Sequence, residues 1–346
     1  MTSSLLRTRA IGGTGLRVSE IGFGAATLGN LYERISDEEA NAILAAALDH
    51  GLTYIDTAPY YGFGLSERRV GDAVRERTGV VISTKVGRLL SPDRAGVGTD
   101  RNGFRSPMQF QSVYDYSYSG IRRSYDDSLQ RLGLAHVDIL YVHDIGALTH
   151  DAADAFHFES LTRGGGLRAL EELRSSGAIR AFGVGVNEIE ACRRVMDHAS
   201  LDVLLLAGRY TLLEQGALSS LLPRCEKSGT AVVIGGPYNS GILATGVRHG
   251  GVLHYDYGRP AAHIVQRVAA IEGLCDSFGV PLAAAALQFP LAHPAVVSVI
   301  PGLDHVRRVA EAVTLYRTQI PLELWIALKA AGLIDEAAPV PGAVQT

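Results

Sequence analysis

TYIDTAPYYG, residues 53–62, starts as an apolar run, sets a carboxylate at its end and breaks at Pro59. An apolar run of that length stopped by a proline turn reads as a strand opening into a loop. Two later stretches repeat the plan: VVISTK (80–85) ends on Lys85, and VDILYVHD (137–144) ends on His143 and Asp144. Helical patterns separate the three, so the strands are parallel and their C-terminal ends share one side. Asp56, Tyr61, Lys85 and His143 are therefore expected to meet at one end of a sheet. A carboxylate, a phenol, an ammonium and an imidazole brought together can tune the phenol for proton transfer to or from a carbonyl or hydroxyl oxygen. Taken singly each has a plainer reading, as a loop cap, a packed ring or a solvated strand end; the combination favours chemistry.

Working outward, strand-like runs alternate with helical patterns over nearly the whole chain. Eight strands are predicted, at 20–24, 53–57, 80–85, 137–142, 179–186, 203–206, 231–234 and 296–300. Helices are predicted between them at 37–49, 67–77, 121–131, 166–175, 188–199, 218–228, 262–278 and 282–291, and after the last strand at 304–313. Ser36-Asp37-Glu38-Glu39 before the first helix and Gly51 after it are ordinary helix punctuation. Eight such units point to a closed (β/α)8 or TIM barrel, one domain over residues 1–346, rather than to an open doubly wound sheet. The open sheet normally carries G-x-G-x-x-G after its first strand, and GFGAATLGN (22–30) does not match. Barrel active sites gather where strands end, which is where the four residues fall.

Residues 9–18 read as an N-terminal hairpin covering the bottom of the barrel. The connections 87–118 and 235–260 are far longer than ordinary βα loops and lie on the C-terminal face. They carry Phe104, Phe110, Tyr114, Tyr116, Tyr238, Tyr255 and Tyr257, rings suited to pocket walls or to simple loop anchors.

Composition narrows the partners. The 346 residues are 47% hydrophobic with a formal net charge of −4, and opposite charges are interspersed. Nucleic acid and anionic membrane surfaces are therefore not expected partners, which leaves a small molecule. Cys192, Cys225 and Cys275 are odd in number and widely spaced, so neither a disulfide framework nor a zinc site is expected. A reducing cytoplasm fits, and MTSSLLRTRAIGG lacks the apolar run of a signal peptide. The most apolar stretch, 280–301, is interrupted by Pro281, Gln288, Pro290, His293 and Pro294 and reads as a buried helix followed by a strand. His136, His150 and His157 show no pairing logic and are expected at the surface or in loops.

D-T-A-x-x-Y-G at 56–62, S-T-K at 83–85 and His143 at a strand end, in that order, resemble the aldo-keto reductase family. So do G-L-x-V-S-x-I-G-F-G (15–24), S-L-x-R-L-G (128–133), G-V-G-V-N (183–187) and V-I-P-G (299–302), so the resemblance spans almost the entire chain. YYGFGLSERRVG, VYDYSYSGIRRSYDDSL, VHDI and AGRYTLLEQ look most like the members that oxidise L-fucose, L-galactose or D-arabinose at C1, and the related pyridoxal dehydrogenases. The resemblance implies Tyr61 as general acid–base, Lys85 as the cation beside it, Asp56 as the carboxylate holding Lys85, and His143 as the group orienting the substrate oxygen. Tyr60, Phe63 and Asp144 are candidates for substrate contact.

The same resemblance implies a nicotinamide dinucleotide across the barrel mouth. Ala25 and Asn187 fall at cofactor positions, and Gly236, Tyr238, Asn239, Gly241 and Leu243 form the loop that would embrace the pyrophosphate. Several residues depart from the family pattern: Val186 and Gly236 stand for serines, Ala207 for a glutamine, Gly235 for a stacking aromatic and Ala312 for an asparagine. Gly302-Leu303 replaces the Lys-Ser pair that holds a 2′-phosphate, which favours NAD; Arg308 and Glu311 match the family's arginine and glutamate near the adenosine, and Arg307 beside Arg308 keeps NADP open. The leading function is an NAD-dependent aldose 1-dehydrogenase giving a lactone. Pyridoxal 4-dehydrogenase is the alternative, followed by an NADPH-dependent aldehyde reductase or a non-catalytic cofactor-sensing subunit. Oligomeric state is not legible.

Overall fold

Eight parallel strands lie side by side in chain order, interrupted by one excursion, and close on themselves. In the computed structural model, which describes residues 6–94, 100–248, 250 and 252–342, the chain begins with the hairpin β1 (Thr8–Ala10) and β2 (Arg17–Ser19). The barrel follows with β3 (Phe23–Gly24), β4 (Tyr54–Asp56) and β5 (Val81–Val86). A second antiparallel hairpin, β6 (Arg88–Pro92) and β7 (Phe110–Tyr114), leaves the barrel mouth. The barrel resumes with β8 (Ile139–His143), β9 (Ala181–Val186), β10 (Val203–Ala207), β11 (Ala231–Gly235) and β12 (Val296–Ile300). Parallel bridges from Ile21 to Val299 and from Gly24 to Gly302 close the ring, with Gly22 N donating to Val299 O at 2.9 Å.

The first predicted strand, 20–24, is regular only over Phe23–Gly24, although Glu20 O accepts from Val299 N at 2.9 Å and keeps that edge paired. The helix Asp37–Asp49 has the expected cap: Ser36 Oγ accepts from Glu39 N, and the Glu39 carboxylate accepts from Ser36 N. The chain also forms helices at Asp154–Thr162 and Leu322–Ala330, which the sequence reading left unassigned.

Ile11, Leu16 and Val18 of the hairpin pack with the inward-facing Val81, Ile139, Ala181 and Val203, so β1–β2 plugs the barrel bottom. Above that apolar plug the interior turns polar, with Tyr54 Oη 3.0 Å from both Tyr141 Oη and Ser83 Oγ. Burial holds both phenols well above their ordinary pKa, so this inner chain is neutral.

SERRVG (66–71) is explained by the outer layer. Glu67 is fully buried and accepts from Thr84 Oγ1 at 2.7 Å and Arg131 Nε at 2.5 Å, tying two helices to β5. Ser66 Oγ donates to Ala25 O at 2.7 Å, and Arg69 donates to Leu28 O, Asn30 Oδ1 and Ile35 O. These bonds fix the loop after β3, which forms one rim of the mouth.

No single helix among the described residues is long and apolar enough to cross a membrane. Helices Ala262–Ser277 and Leu282–Gln288 meet at a sharp bend, and the second buries Leu282, Ala284, Ala285, Ala286 and Leu287 in the core. Cys192, Cys225 and Cys275 are free and buried, and burial pushes each thiol up in pKa.

Candidate active site

Asp56 is the last residue of β4, Lys85 lies one residue from the end of β5, and His143 ends β8. Tyr61 opens the short turn Tyr61–Gly64 beyond β4. Lys85 Nζ donates to Asp56 Oδ2 at 2.5 Å, to Thr57 O at 3.0 Å and to Tyr61 Oη at 3.0 Å. Three acceptors match the three N–H bonds of an ammonium. Asp56 also accepts from Ser83 Oγ at 2.7 Å, so the polar chain inside the barrel runs unbroken from Tyr141 to Tyr61. The His143 ring stands edge-on to Tyr61 with centroids 6.0 Å apart.

Burial sets the charges. It opposes the Lys85 ammonium, but Asp56 and then Tyr61 outweigh it and raise the lysine above its ordinary value. Burial likewise raises Asp56, partly offset by Lys85. With every donor and acceptor matched, the pair is ionic. Tyr61 is pushed up to about 12, because burial exceeds the pull of Lys85 toward the phenolate. Tyr61 therefore rests protonated, although the ammonium beside it favours the phenolate. His143 is driven well below its ordinary value by burial, with Arg88 and Lys85 adding to the effect. A neutral imidazole and a protonated phenol therefore face the cavity.

The turn carrying Tyr61 is held by backbone contact rather than by side chains. A Cβ on Gly29 would lie 2.5 Å from both Gly62 N and Tyr61 C, and Gly62 sits at φ 63° with a Cβ position 2.6 Å from Gly29 O. Gly29 itself is not in the left-handed region, so Gly29→Ala meets only the clash. A displacement near 1 Å at a reacting group costs roughly 100-fold in rate. Gly29→Ala is expected to lower kcat by about that factor with an unchanged circular dichroism spectrum. Wild-type kcat in that variant would show that the close approach does not position Tyr61.

Tyr61, Lys85 and His143 open onto a cavity of about 500 Å³. Tyr60, Phe104 and Leu31 supply an apolar wall, and Asp144, Asn187 and Arg209 a polar one. Tyr60 and Asp144 thus stand where substrate contact was expected. Phe63 does not: it is 3% exposed behind Tyr60, with ring centroids 5.5 Å apart. Successive left-handed residues at 62 and 63 turn its side chain into the packing of Leu90 and Phe104. Of the two long connections, 87–118 supplies Asn102 and Phe104 to the cavity and 235–260 supplies Asp256 and Tyr257.

Sequence reasoning missed Arg88. It is 6% exposed, donates through Nη2 to Asp144 Oδ2 at 2.5 Å, and lies 4.0 Å from the Tyr60 ring centroid. An arginine inside the apolar run VGRLL was the available signal. His150 also differs from expectation: it is 8% exposed, and its Nε2 is 2.9 Å from Tyr116 Oη, which donates to His143 O at 2.8 Å. That phenol therefore braces the end of β8.

The cofactor candidates divide by exposure. Ala25 is fully buried with its N–H donating to Asp56 O, and its neighbour Ala26 faces the cavity instead. Asn187 lines the cavity, with its main-chain oxygen held by Arg209 Nε at 2.8 Å. Asn239 and Leu243 point inward: Asn239 Oδ1 accepts from Thr211 Oγ1 at 2.6 Å, and Leu243 lies in the core. Their backbone N–H groups are also taken, Asn239 N donating to Gly236 O at 3.0 Å and Leu243 N to Tyr238 O at 3.1 Å, so neither residue faces a ligand as expected. Gly236, Asn239, Ser240 and Gly241 all have positive φ, a turn geometry that forms anion-binding concavities. Gly302 is exposed, while Arg308 pairs with Asp304 at 3.0 Å and Arg307 with Glu311 at 3.2 Å on the surface.

These residues fit a nicotinamide dinucleotide. Gly185 on the cavity floor leaves space that a Cβ would fill, 3.4 Å from Lys85 Cε. At Gly235, where the resemblance expects a stacking aromatic, a Cβ would lie 3.0 Å from Leu205 Cδ2, and the Leu205 side chain lines the cavity there.

The Aldo/keto reductase family model matches residues 20–331. The chain is 47% identical to the pyridoxal 4-dehydrogenase of Microbacterium luteolum over 94% of its own length and 98% of that protein's. It is 39% identical to a D-threo-aldose 1-dehydrogenase from a Pseudomonas species, covering 94% and 97% of the two chains. Among solved structures, the holo form of an aldo-keto reductase from Bacillus halodurans superposes with a TM-score of 0.71 at 25% identity, over 94% of this chain and 96% of that one. The barrel, the Asp56–Lys85–Tyr61–His143 mouth and these matches agree: the chain belongs to the aldo/keto reductase family and is an NAD(P)-dependent oxidoreductase.

Proposed function

We propose that the chain oxidises the ring-closed hemiacetal of an aldose at C1 to its lactone, using NAD. The observation carrying this reading is the bonded series Asp56–Lys85–Tyr61 opening onto a cavity with an apolar wall of Tyr60, Phe104 and Leu31 and a polar one of Asp144, Asn187 and Arg209. A bound nicotinamide supplies or accepts the hydride. Asn187, the backbone of 236–241 and Arg308 are the residues that would hold the dinucleotide, with Gly302 standing where a 2′-phosphate would need a lysine. Asp304 already neutralises Arg308, which also favours NAD over NADP.

Toward the alcohol, Tyr61 Oη gives its proton to the carbonyl oxygen, and the phenolate left behind faces the Lys85 ammonium 3.0 Å away. His143, being neutral, can donate an N–H hydrogen bond to that oxygen as negative charge develops on it. Toward the lactone, the phenolate takes the proton of the C1 hydroxyl. A reducing cytoplasm suits the three free, buried thiols.

A pH profile follows from the resting charges. Tyr61 stays protonated far above neutrality and His143 stays neutral far below it. Reductive kcat/KM should be flat between about pH 6 and 9. Oxidative kcat/KM needs the phenolate and should climb about tenfold per pH unit over the same range. A bell centred near neutrality in both directions would contradict these charges.

A second reading is favoured by the 47% match to a pyridoxal 4-dehydrogenase and by the aromatic rings of Tyr60 and Phe104 on the cavity wall. Pyridoxal also closes to a hemiacetal whose oxidation gives a lactone. Initial rates with NAD and NADP against L-fucose, L-galactose, D-arabinose and pyridoxal, read by nicotinamide absorbance, separate the two. Turnover of pyridoxal alone replaces the aldose reading, and turnover of none removes both.

A further inference from the structure

We infer that Asp144, held in place by Arg88, is a specificity determinant that accepts a hydrogen bond from a hydroxyl on the carbon next to the reacting one. The inference deepens the aldose reading and rests on it for the natural substrate.

Asp144 lines the catalytic cavity directly after His143, and its Oδ2 lies 3.5 Å from His143 Nε2. Its backbone has φ 50°, in the left-handed region, while its N–H still donates to Gly185 O at 3.0 Å. A strained backbone beside a reacting group must be maintained by its surroundings. Arg88 provides that support. Its Nη2 holds Oδ2, and its guanidinium lies 4.0 Å from the Tyr60 ring centroid and 5.0 Å from that of Tyr114. Oδ1 has no protein partner among the described residues.

The chemistry of the missing partner follows. An ionised carboxylate accepts hydrogen bonds and cannot donate them, so its ligand must bring a donor. Two protein groups this close suit two oxygens of one substrate that sit on neighbouring carbons. Tyr61 and His143 take the reacting oxygen, and Asp144 takes the adjacent hydroxyl. The C2 hydroxyl of an aldose meets this condition, and a simple aldehyde does not. Nor does the pair serve stability alone, since a buried ion pair contributes little net stabilisation over apolar replacements. Arg88 acts through Asp144 and is a positioning residue.

The test runs in the reductive direction with NADH on glyceraldehyde and 3-hydroxypropanal, which differ by the C2 hydroxyl. Asp144→Gly suits the positive φ and removes the acceptor, and Arg88→Met with Asp144→Gly also removes the stranded guanidinium should the single variant fail to fold. The ratio of kcat/KM for the two aldehydes is independent of the folded fraction. The wild type should favour glyceraldehyde, and the ratio should fall by about 10- to 100-fold in either variant, the range for losing a hydrogen bond to a charged group. Arg88→Met alone should lower it less. An unchanged ratio in both glycine variants would overturn the assignment and leave the pair a packing feature. Because this ratio needs only aldehyde reduction, failure of every aldose in the oxidation panel sinks the lactone reading and still leaves Asp144 to be decided here.

Discussion

Tyr61→Phe should lose between about 100- and 10,000-fold in turnover, the range for removing a general acid, equivalent to roughly 3 to 5 kcal/mol of barrier. Dinucleotide affinity should stay within a few-fold of wild type, because the phenyl ring keeps the cavity wall and the cofactor candidates lie on other strands. Stability should move little. Lys85 retains Asp56 and Thr57 O as acceptors and gives up only the bond to Tyr61. Titrating NAD by fluorescence alongside steady-state rates checks both halves. A variant that binds NAD and still turns over at the wild-type rate would mean that the proton moves through another group.

Lys85→Met is expected to damage stability and rate together. The Asp56 and Lys85 side chains are each 2% exposed and 2.5 Å apart, so methionine strands a buried carboxylate that keeps only Ser83 as donor. Removing one member of such a pair costs about 3 to 5 kcal/mol. The rate falls for a separate reason, since Lys85 is the group drawing Tyr61 toward its phenolate, and without it that phenol rises still further. Adding Asp56→Asn should recover most of the lost stability, as no charge is then left unpaired, but none of the rate. Urea melts of the single and double variants beside their rates test this. Recovery of the rate in the double variant would contradict a catalytic role for the ammonium.

Much of this arrangement was legible because parallel strands make position along the sequence equivalent to position in space. Asp56, Lys85 and His143 occupy strand ends, and neighbouring ends in a barrel lie within reach of one another. The strands and the capped helix Asp37–Asp49 could be read for a similar reason, each being specified by local pattern. What could not be read depended on turns and on contacts across the chain. Phe63 went behind the wall because two successive left-handed residues rotate it away, and nothing in YYGFG fixes that rotation. Ala26 rather than Ala25 faces the mouth because β3 ends at Gly24 and the chain turns at once into Thr27–Gly29.

The β6–β7 hairpin was taken for loop because β6 mixes apolar and charged residues, its arginine being the one that meets Asp144 56 residues later. No local signal couples Arg88 to Asp144; the barrel brings them together. The protonation of Tyr61 was likewise out of reach. A sequence names the lysine that favours the phenolate, but burial, the stronger influence here, is a property of the folded site.

The most direct test of the whole arrangement is a crystal structure of the wild-type chain grown with NAD. The expected result is a nicotinamide ring against Tyr61 and Asn187, with the Tyr61 hydroxyl still bonded to Lys85 and His143 facing the same space. A dinucleotide bound away from this mouth, or a Tyr61 hydroxyl turned out of reach of Lys85, would contradict it.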